Sequence, residues 1–184
     1  MLYNHSQTAA HDFSASPETV YSAILSQKQT PTDKQAFGAF LSLKRLWGTP
    51  GEAGYQMLAR INWGGADLEM TETILATDPP RSYRISQRPQ RYVALDPMER
   101  RLPINMTEPT NLQKLFDKTY GSPPATTEMQ FDLAPTAGGT TLTLTIETRL
   151  VRKLGWLARR KWQKRVAREV TMVFQQIETA LHVL

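Results

Sequence analysis

The sequence predicts an α+β domain in which a curved antiparallel β-sheet is wrapped around one long C-terminal α-helix. Upstream segments with a hydrophobic period of two indicate strands with one apolar face. Near the C-terminus the period changes to three and four, which places the apolar residues on one side of a helix. These residues are Trp162, Val166, Val170, Val173, Phe174, Ile177, Leu181 and Leu184. Such a stripe has to be buried against a wide apolar surface, and the sheet offers one.

The N-terminal elements are a strand followed by two short helices. Residues 3 to 13 alternate loosely and predict the first strand. The motif Ser16-Pro17-Glu18 predicts a helix start, because serine is a favoured N-cap and proline fits the first helical position. A second short helix is predicted from Thr32 or Asp33 to Trp47, where apolar residues recur at helical intervals.

A meander of strands follows. Residues 55 to 63 and 66 to 74 alternate on either side of Gly64-Gly65, which predicts a hairpin. A third strand is predicted around Tyr83, and a turn at residues 88 to 91 separates it from a short fourth strand, 92 to 95.

Two more strands precede the final helix. They run from Thr127 to Leu133 and from Leu142 to Leu150, and Gly138-Gly139 forms the turn between them. Residues 96 to 125 contain five prolines and are too long for a hairpin loop. We expect them to be an insertion or a lid within a single domain of residues 1 to 184.

Composition excludes several functional classes. The chain has 184 residues, of which 40% are hydrophobic, and no cysteine, so thiol nucleophiles and thiolate metal sites are absent. The first residues do not have the pattern of a signal peptide, and no apolar run is long enough for a transmembrane helix. We therefore expect a soluble, cytoplasmic protein, whose oligomeric state the sequence does not predict.

Positive charge is concentrated before and within the final helix. The net charge is +5, and nine cations fall between residues 149 and 168. They are Arg149, Arg152, Lys153, Arg159, Arg160, Lys161, Lys164, Arg165 and Arg168. One interpretation is the solvated side of an amphipathic helix, which we favour because such charge runs are common there. The other is contact with an anionic partner, above all a membrane surface, near Trp156 and Trp162; no nucleic acid is expected.

Three stretches carry a family resemblance: FSASPETVYSAIL (13–25), ETILATDPPRSYRIS (72–86) and FDLAPTAGGTTLTLTIE (131–147). Together they resemble the SRPBCC superfamily, also called START-like or birch-pollen-allergen-like, and within it the polyketide cyclase/dehydrase-like branch. Their succession, followed by the basic final helix, covers most of the chain. The resemblance implies a helix-grip fold with a cavity between the sheet and the C-terminal helix, which holds a hydrophobic or amphipathic small molecule. Residues 96 to 125 depart from it, being longer than simple members need.

Two functions are compatible with that resemblance. The first is binding of a hydrophobic small molecule, and the second is an aromatase/cyclase-like enzyme that uses the same cavity. A third is a membrane- or protein-interaction domain that uses the basic helix. The expected pocket residues are Met57, Ile61, Met70, Glu72, Tyr83, Phe131, Leu144, Val170 and Phe174.

Polar residues on inward strand faces are the candidates for catalysis. Glu72 shares strand parity with Met70, and His11 with Phe13. A carboxylate in an apolar pocket would serve as an acid, a base or an anchor for a ligand's polar end. A register slip, or pairing with Arg60 or Arg84, would remove Glu72 from that role. Only three histidines occur, without metal-ligand spacing, so neither a metal nor any other cofactor is expected.

Overall fold

The computed structural model describes residues 2–26, 40–63, 66–95, 125–150 and 153–182. Within these ranges the order is β1 (Tyr3–Phe13), α1 (Pro17–Ser26), β2 (Phe40–Trp47), β3 (Gln56–Trp63), β4 (Ala66–Asp78), β5 (Ser82–Leu95), β6 (Thr126–Thr136), β7 (Gly139–Leu150) and α2 (Trp156–Leu181). The strands form one sheet in the order β1-β7-β6-β5-β4-β3-β2, and every neighbouring pair is antiparallel. The predicted fold class, a curved antiparallel sheet with a long C-terminal helix, is confirmed.

Helix α1 begins where the sequence predicts it. The Val20 backbone N–H donates to the Ser16 carbonyl at 3.0 Å, which is the first turn's hydrogen bond. The Ser16 hydroxyl accepts from the Thr19 backbone N–H at 3.4 Å, as an N-cap serine does. Val20 and Ile24, one turn apart, are buried in the core.

The prediction of a helix up to Trp47 is wrong, because Phe40–Trp47 is strand β2. This strand pairs with β3, placing Leu43 opposite Ala59. Short apolar runs fit a strand or a helix equally well by spacing alone. The strand is favoured here because the backbone groups along the edge of β3 need hydrogen-bond partners, and β2 supplies them. The earlier part of the predicted helix lies outside the described residues.

The prediction of a turn at residues 88 to 91 is also wrong, because β5 continues through them. Met70 of β4 pairs with Pro89, whereas its neighbour Glu69 pairs with Arg91. Gln90 is therefore an extra residue on β5, which is the pattern of a β-bulge. Proline is tolerated in a strand at such a position, since a bulge needs no regular ladder hydrogen bond.

Helix α2 packs its apolar stripe on the inner face of the sheet, as predicted. Val166, Val170, Phe174 and Ile177 are buried, and they share one core with residues of α1, β1 and β4 to β7. On β7 every second residue from Thr140 to Leu150 is buried, which is the alternation of a strand with one covered face. Helix and sheet therefore fix each other's position.

The turn between β6 and β7 should depend on Gly139. Its φ is +150°, and a Cβ placed there would lie 2.0 Å from the Phe13 carbonyl oxygen. We expect Gly139→Ala to lower the free energy of unfolding by on the order of 2–4 kcal/mol in urea denaturation. The neighbouring Gly138→Ala is the matched control, because nothing lies within 4 Å of its added Cβ. Equal stability of the two variants would contradict this account of the turn.

Candidate ligand cleft between the C-terminal helix and the sheet

A cleft lies between the first half of α2 and the inner face of the sheet. Its enclosed cavity has a volume of about 20 Å³, roughly the space of one water molecule, and the unfilled space around it, which includes open solvent, amounts to about 470 Å³. Its apolar lining residues are Leu68, Met70, Pro89, Ile146, Trp162 and Val166. Its polar lining residues are Gln87, Thr127, Thr148, Arg165 and Glu169. The lining is therefore amphipathic, with an apolar majority.

Secondary-structure periodicity brings these side chains to one place. On β4, Leu68 and Met70 are two residues apart and so share the inner face. On α2, the cleft residues fall at positions 162, 165, 166 and 169, which is the spacing of one helix side. That side adjoins the apolar stripe, so the cleft lies beside the packed core.

Two charged residues of α2 belong to the cleft wall. Arg165 and Glu169 are four residues apart and so lie on neighbouring turns of the same side. The Arg165 atoms Nε and Nη2 are shielded from solvent. Burial raises the pKa of Glu169, and the nearby Arg165 cation lowers it by a smaller amount. The site thus holds a guanidinium beside a carboxyl group that takes up protons readily.

A second carboxylate lies directly behind the cleft. Glu72 is fully buried on β4, two residues after Met70 and on the same face of the strand, and it is not among the residues that line the cleft. Gln87 Nε2 donates a hydrogen bond to Glu72 Oε2 at 2.8 Å, and Gln87 itself lines the cleft. Arg84 pairs instead with Glu128, at 2.6 Å. A polar chain therefore leads from the cleft surface to a buried carboxylate.

Tyr83 adjoins this polar chain in the core. Its pKa is raised first by burial and further by the charge of Glu72. The phenol therefore stays protonated at any physiological pH.

The predicted pocket residues divide into two groups around the cleft. Met70 lines it, and Glu72 lies behind Gln87. The remaining described members are buried without lining the cleft: Met57, Tyr83, Phe131, Leu144, Val170 and Phe174. All but Met57 belong to the packed core. The side chain of Ile61 lies outside the described residues, as does the predicted lid up to residue 124.

His11 is placed at the side of the core rather than in the cleft. Its Nε2 lies 2.8 Å from Glu178 Oε1, and its ring stacks on Phe174 at a centroid distance of 5.3 Å. These contacts tie β1 to α2. His11 is not among the residues that line the cleft.

Sequence reasoning missed most of the polar lining. Gln87 and Thr127 carry no motif, and their role follows only from the register between β4, β5 and β6. Arg165 and Glu169 did leave a signal, since an i, i+4 cation–carboxylate pair adjoins the apolar stripe. The pair was not recognised because Arg165 belongs to the long run of positive charge.

Within the described ranges, no group of three His, Asp or Glu side chains could hold a metal ion. In the same part of the chain, no helix combines the length and apolar character needed to cross a bilayer.

Several solved structures are similar to this architecture. Ara h 8.0201 has 12% identity and a TM-score of 0.65, with 99% of this chain and 100% of that chain covered. Mll3558 from Rhizobium loti has 14% identity and a TM-score of 0.57, covering 98% and 99% respectively. Norcoclaurine synthase from Thalictrum flavum, a point mutant in complex with a transition-state analogue, has 10% identity and a TM-score of 0.56, covering 99% and 97%.

Sequence comparison gave no relative. No protein-family model matches the chain, and no curated protein matches it. The structural likeness spans whole chains at low identity, so it shows a shared fold. The SRPBCC/Bet v 1-like fold expected from the sequence is thereby confirmed.

Removing the Gln87 amide should destabilise the protein. In Gln87→Leu, the buried Glu72 carboxylate loses the 2.8 Å hydrogen bond from Gln87, and the loss of a hydrogen bond to a charged group costs about 1.5–3 kcal/mol. Gln90→Leu is the matched control, because Gln90 is exposed and donates only to Thr71 at 3.2 Å; we expect it to stay within about 0.5 kcal/mol of wild type. Urea denaturation measures both, and an equal loss in the control would contradict the role given to Gln87.

The protonation of Glu169 should make stability depend on pH. Its pKa is higher in the folded than in the unfolded chain, so the folded state binds more protons in that window. Stability therefore falls as pH rises from the unfolded value, 4.5, through the raised folded value. We expect Glu169→Gln to be more stable than wild type at neutral pH and to lose that advantage below the unfolded value. Thermal denaturation across pH tests this, and a variant less stable at neutral pH would contradict it.

Proposed function

We propose that this chain, which has the SRPBCC/Bet v 1-like helix-grip fold, binds an amphipathic small molecule in the cleft between α2 and the sheet. The observation that carries the proposal is the amphipathic lining of this cleft. Leu68, Met70 and Ile146 supply apolar surface from the sheet, and the two charged groups, Arg165 and Glu169, come from α2. A site of this kind buries an apolar body and orients it through a few polar groups.

The polar end of the ligand is expected at Arg165. A guanidinium presents a planar set of donors that matches a carboxylate or another oxygen-rich group. Arg165 is partly buried, so a hydrogen bond to a charged acceptor is worth more there than in water. The adjacent Glu169 adds a second polar contact, as an acceptor when ionised and as a donor when protonated.

The structural neighbours support a ligand site in this fold. Norcoclaurine synthase was solved with a transition-state analogue bound. That protein shares only 10% identity with this chain, so its chemistry does not carry over. What it supports is the use of the same architecture to hold a small molecule.

Catalysis in the cleft is a second candidate function. The observation that favours it is the pair of carboxyl groups at different depths: Glu169 with a raised pKa on the wall and Glu72 behind Gln87. Carboxyl groups in unlike environments are suited to acid and base roles. A cyclase of the polyketide type would lose turnover in Glu72→Gln on a β-keto thioester substrate. A binding protein would retain its affinity to within about tenfold.

Substituting Arg165 separates the polar from the apolar part of the site. We expect Arg165→Met to weaken binding of a dansylated fatty acid about 10- to 100-fold, because one charge-assisted hydrogen bond is lost. Binding of the neutral dye Nile red should change little, since methionine keeps an apolar stem in the wall. Fluorescence titration measures both affinities.

Arg168→Met is the matched control for that titration. Arg168 is exposed and does not line the cleft, so its loss removes the same charge from the same helix without touching the site. Equal weakening in both variants, or no saturable binding of either probe to wild type, would contradict the proposed function.

A further inference from the structure

We infer that the exposed side of the first half of α2 docks on an anionic lipid bilayer. We call this surface the basic face and define it by Leu157, Arg160, Lys161, Lys164 and Arg168. Arg160 and Lys161 follow Leu157 by three and four positions, and Lys164 and Arg168 continue at the same helical spacing, so the five residues lie on one side of the helix; all five are exposed. Trp156 precedes them, with 72% of its surface accessible.

The charge of this segment has a single sign. Between residues 153 and 168 there are seven Lys or Arg residues and no Asp or Glu. From Trp156 to Arg168 the helix rises about 18 Å, so the exposed cations fit within a patch of molecular size. Such a patch attracts a polyanionic surface. At ordinary salt concentrations this attraction extends about 10 Å before counter-ions screen it.

This concentration of positive charge destabilises the N-terminal part of α2. The positive end of the helix dipole lies at the N-terminus, where acidic residues would stabilise it, yet the first turn of α2 contains none. The N-cap residue Gly155 makes no side-chain capping bond. Arg160, Lys164 and Arg168 are successive like charges four residues apart, which repel one another. A polyanionic partner would remove these penalties.

Two exposed apolar side chains favour a bilayer over other polyanions. Leu157 is 64% exposed and lies on the same side of the helix as the cations, one turn before Arg160 and Lys161. An aliphatic side chain gains nothing from a phosphate backbone, but it gains by entering the region between lipid headgroups and acyl chains. Tryptophan prefers the same region, where its apolar ring and its N–H are both accommodated. The basic face and the adjoining Trp156 therefore combine positive charge with exposed apolar side chains, which are the two components of interfacial binding.

Docking needs no unfolding of the domain. Val166 and Val170 stay packed in the core on the other side of the helix. Trp162 and Arg165 line the cleft on the same turns that present Lys161 and Lys164. The bilayer would thus lie about one helix diameter, roughly 10 Å, from the cleft wall. Docking of the basic face does not require a ligand in the cleft.

Vesicle co-sedimentation of the full chain tests the inference. We expect wild type to bind phosphatidylcholine vesicles that contain a third phosphatidylglycerol, and to bind pure phosphatidylcholine vesicles far less. Each cation near an anionic membrane multiplies the partition coefficient about fivefold. The triple variant R160Q/K161Q/K164Q should therefore partition about 100-fold less. Because these side chains are exposed and repel one another, its thermal stability should equal or exceed that of wild type.

The matched control removes the same charge elsewhere. Arg45, Arg81 and Arg88 are exposed and lie outside α2, so R45Q/R81Q/R88Q should change the partition coefficient by less than about fivefold. The double variant W156A/L157A should lose the part of binding that survives high salt, since that part comes from apolar insertion.

Four results would overturn the inference. They are no preference of wild type for anionic vesicles, full retention of binding in the triple variant, an equal loss in the control, and tighter binding to an oligonucleotide than to vesicles. The last result would identify a nucleic acid as the partner of this surface.

Discussion

The structure depends on the packing of α2 against the concave face of the sheet. Val166, Val170, Phe174 and Ile177 leave water together, and burying each such side chain is worth about 1.5–3 kcal/mol. Their partners come from strands far apart in sequence, such as Phe13 of β1 and Phe131 of β6. One helix thus connects the first strand of the chain to the last ones, and α1 joins the same core through Val20 and Ile24.

The cleft follows from a change of side-chain chemistry around the same helix. Farther along α2, Val170, Phe174 and Ile177 pack in the core, whereas Arg165 and Glu169, together with Trp162 and Val166, border unfilled space. Charged groups are costly to seal into a core, so this wall stays next to open volume. The buried Glu72 obeys the same rule, because Gln87 supplies a hydrogen bond to it. Fold and candidate site are therefore consequences of one packing arrangement.

The fold could be predicted from the sequence because its signals are local. Periods of two and of three to four identified β1, β6, β7 and α2, and Ser16 marked the start of α1. The predictions were wrong where pairing with another strand sets the local structure. These places are β2, which pairs with β3, and β5, which continues across the bulge at Gln90 by pairing with β4. The same reason limited the site. The alternation of residues along β4 predicted that Glu72 faces inward. By contrast, Gln87 and Thr127 reach the cleft only through the register of β4, β5 and β6.

The most direct test of the ligand cleft is a ¹H–¹⁵N NMR titration with a fatty acid, in which the indole N–H signal of Trp162 is followed. Trp162 lines the cleft, whereas Trp156 on the same helix is 72% exposed and does not. The account predicts a saturable shift of the Trp162 signal, in step with the amides of Met70 and Ile146, and a smaller shift of Trp156. Saturable binding that leaves Trp162, Met70 and Ile146 unmoved would contradict it.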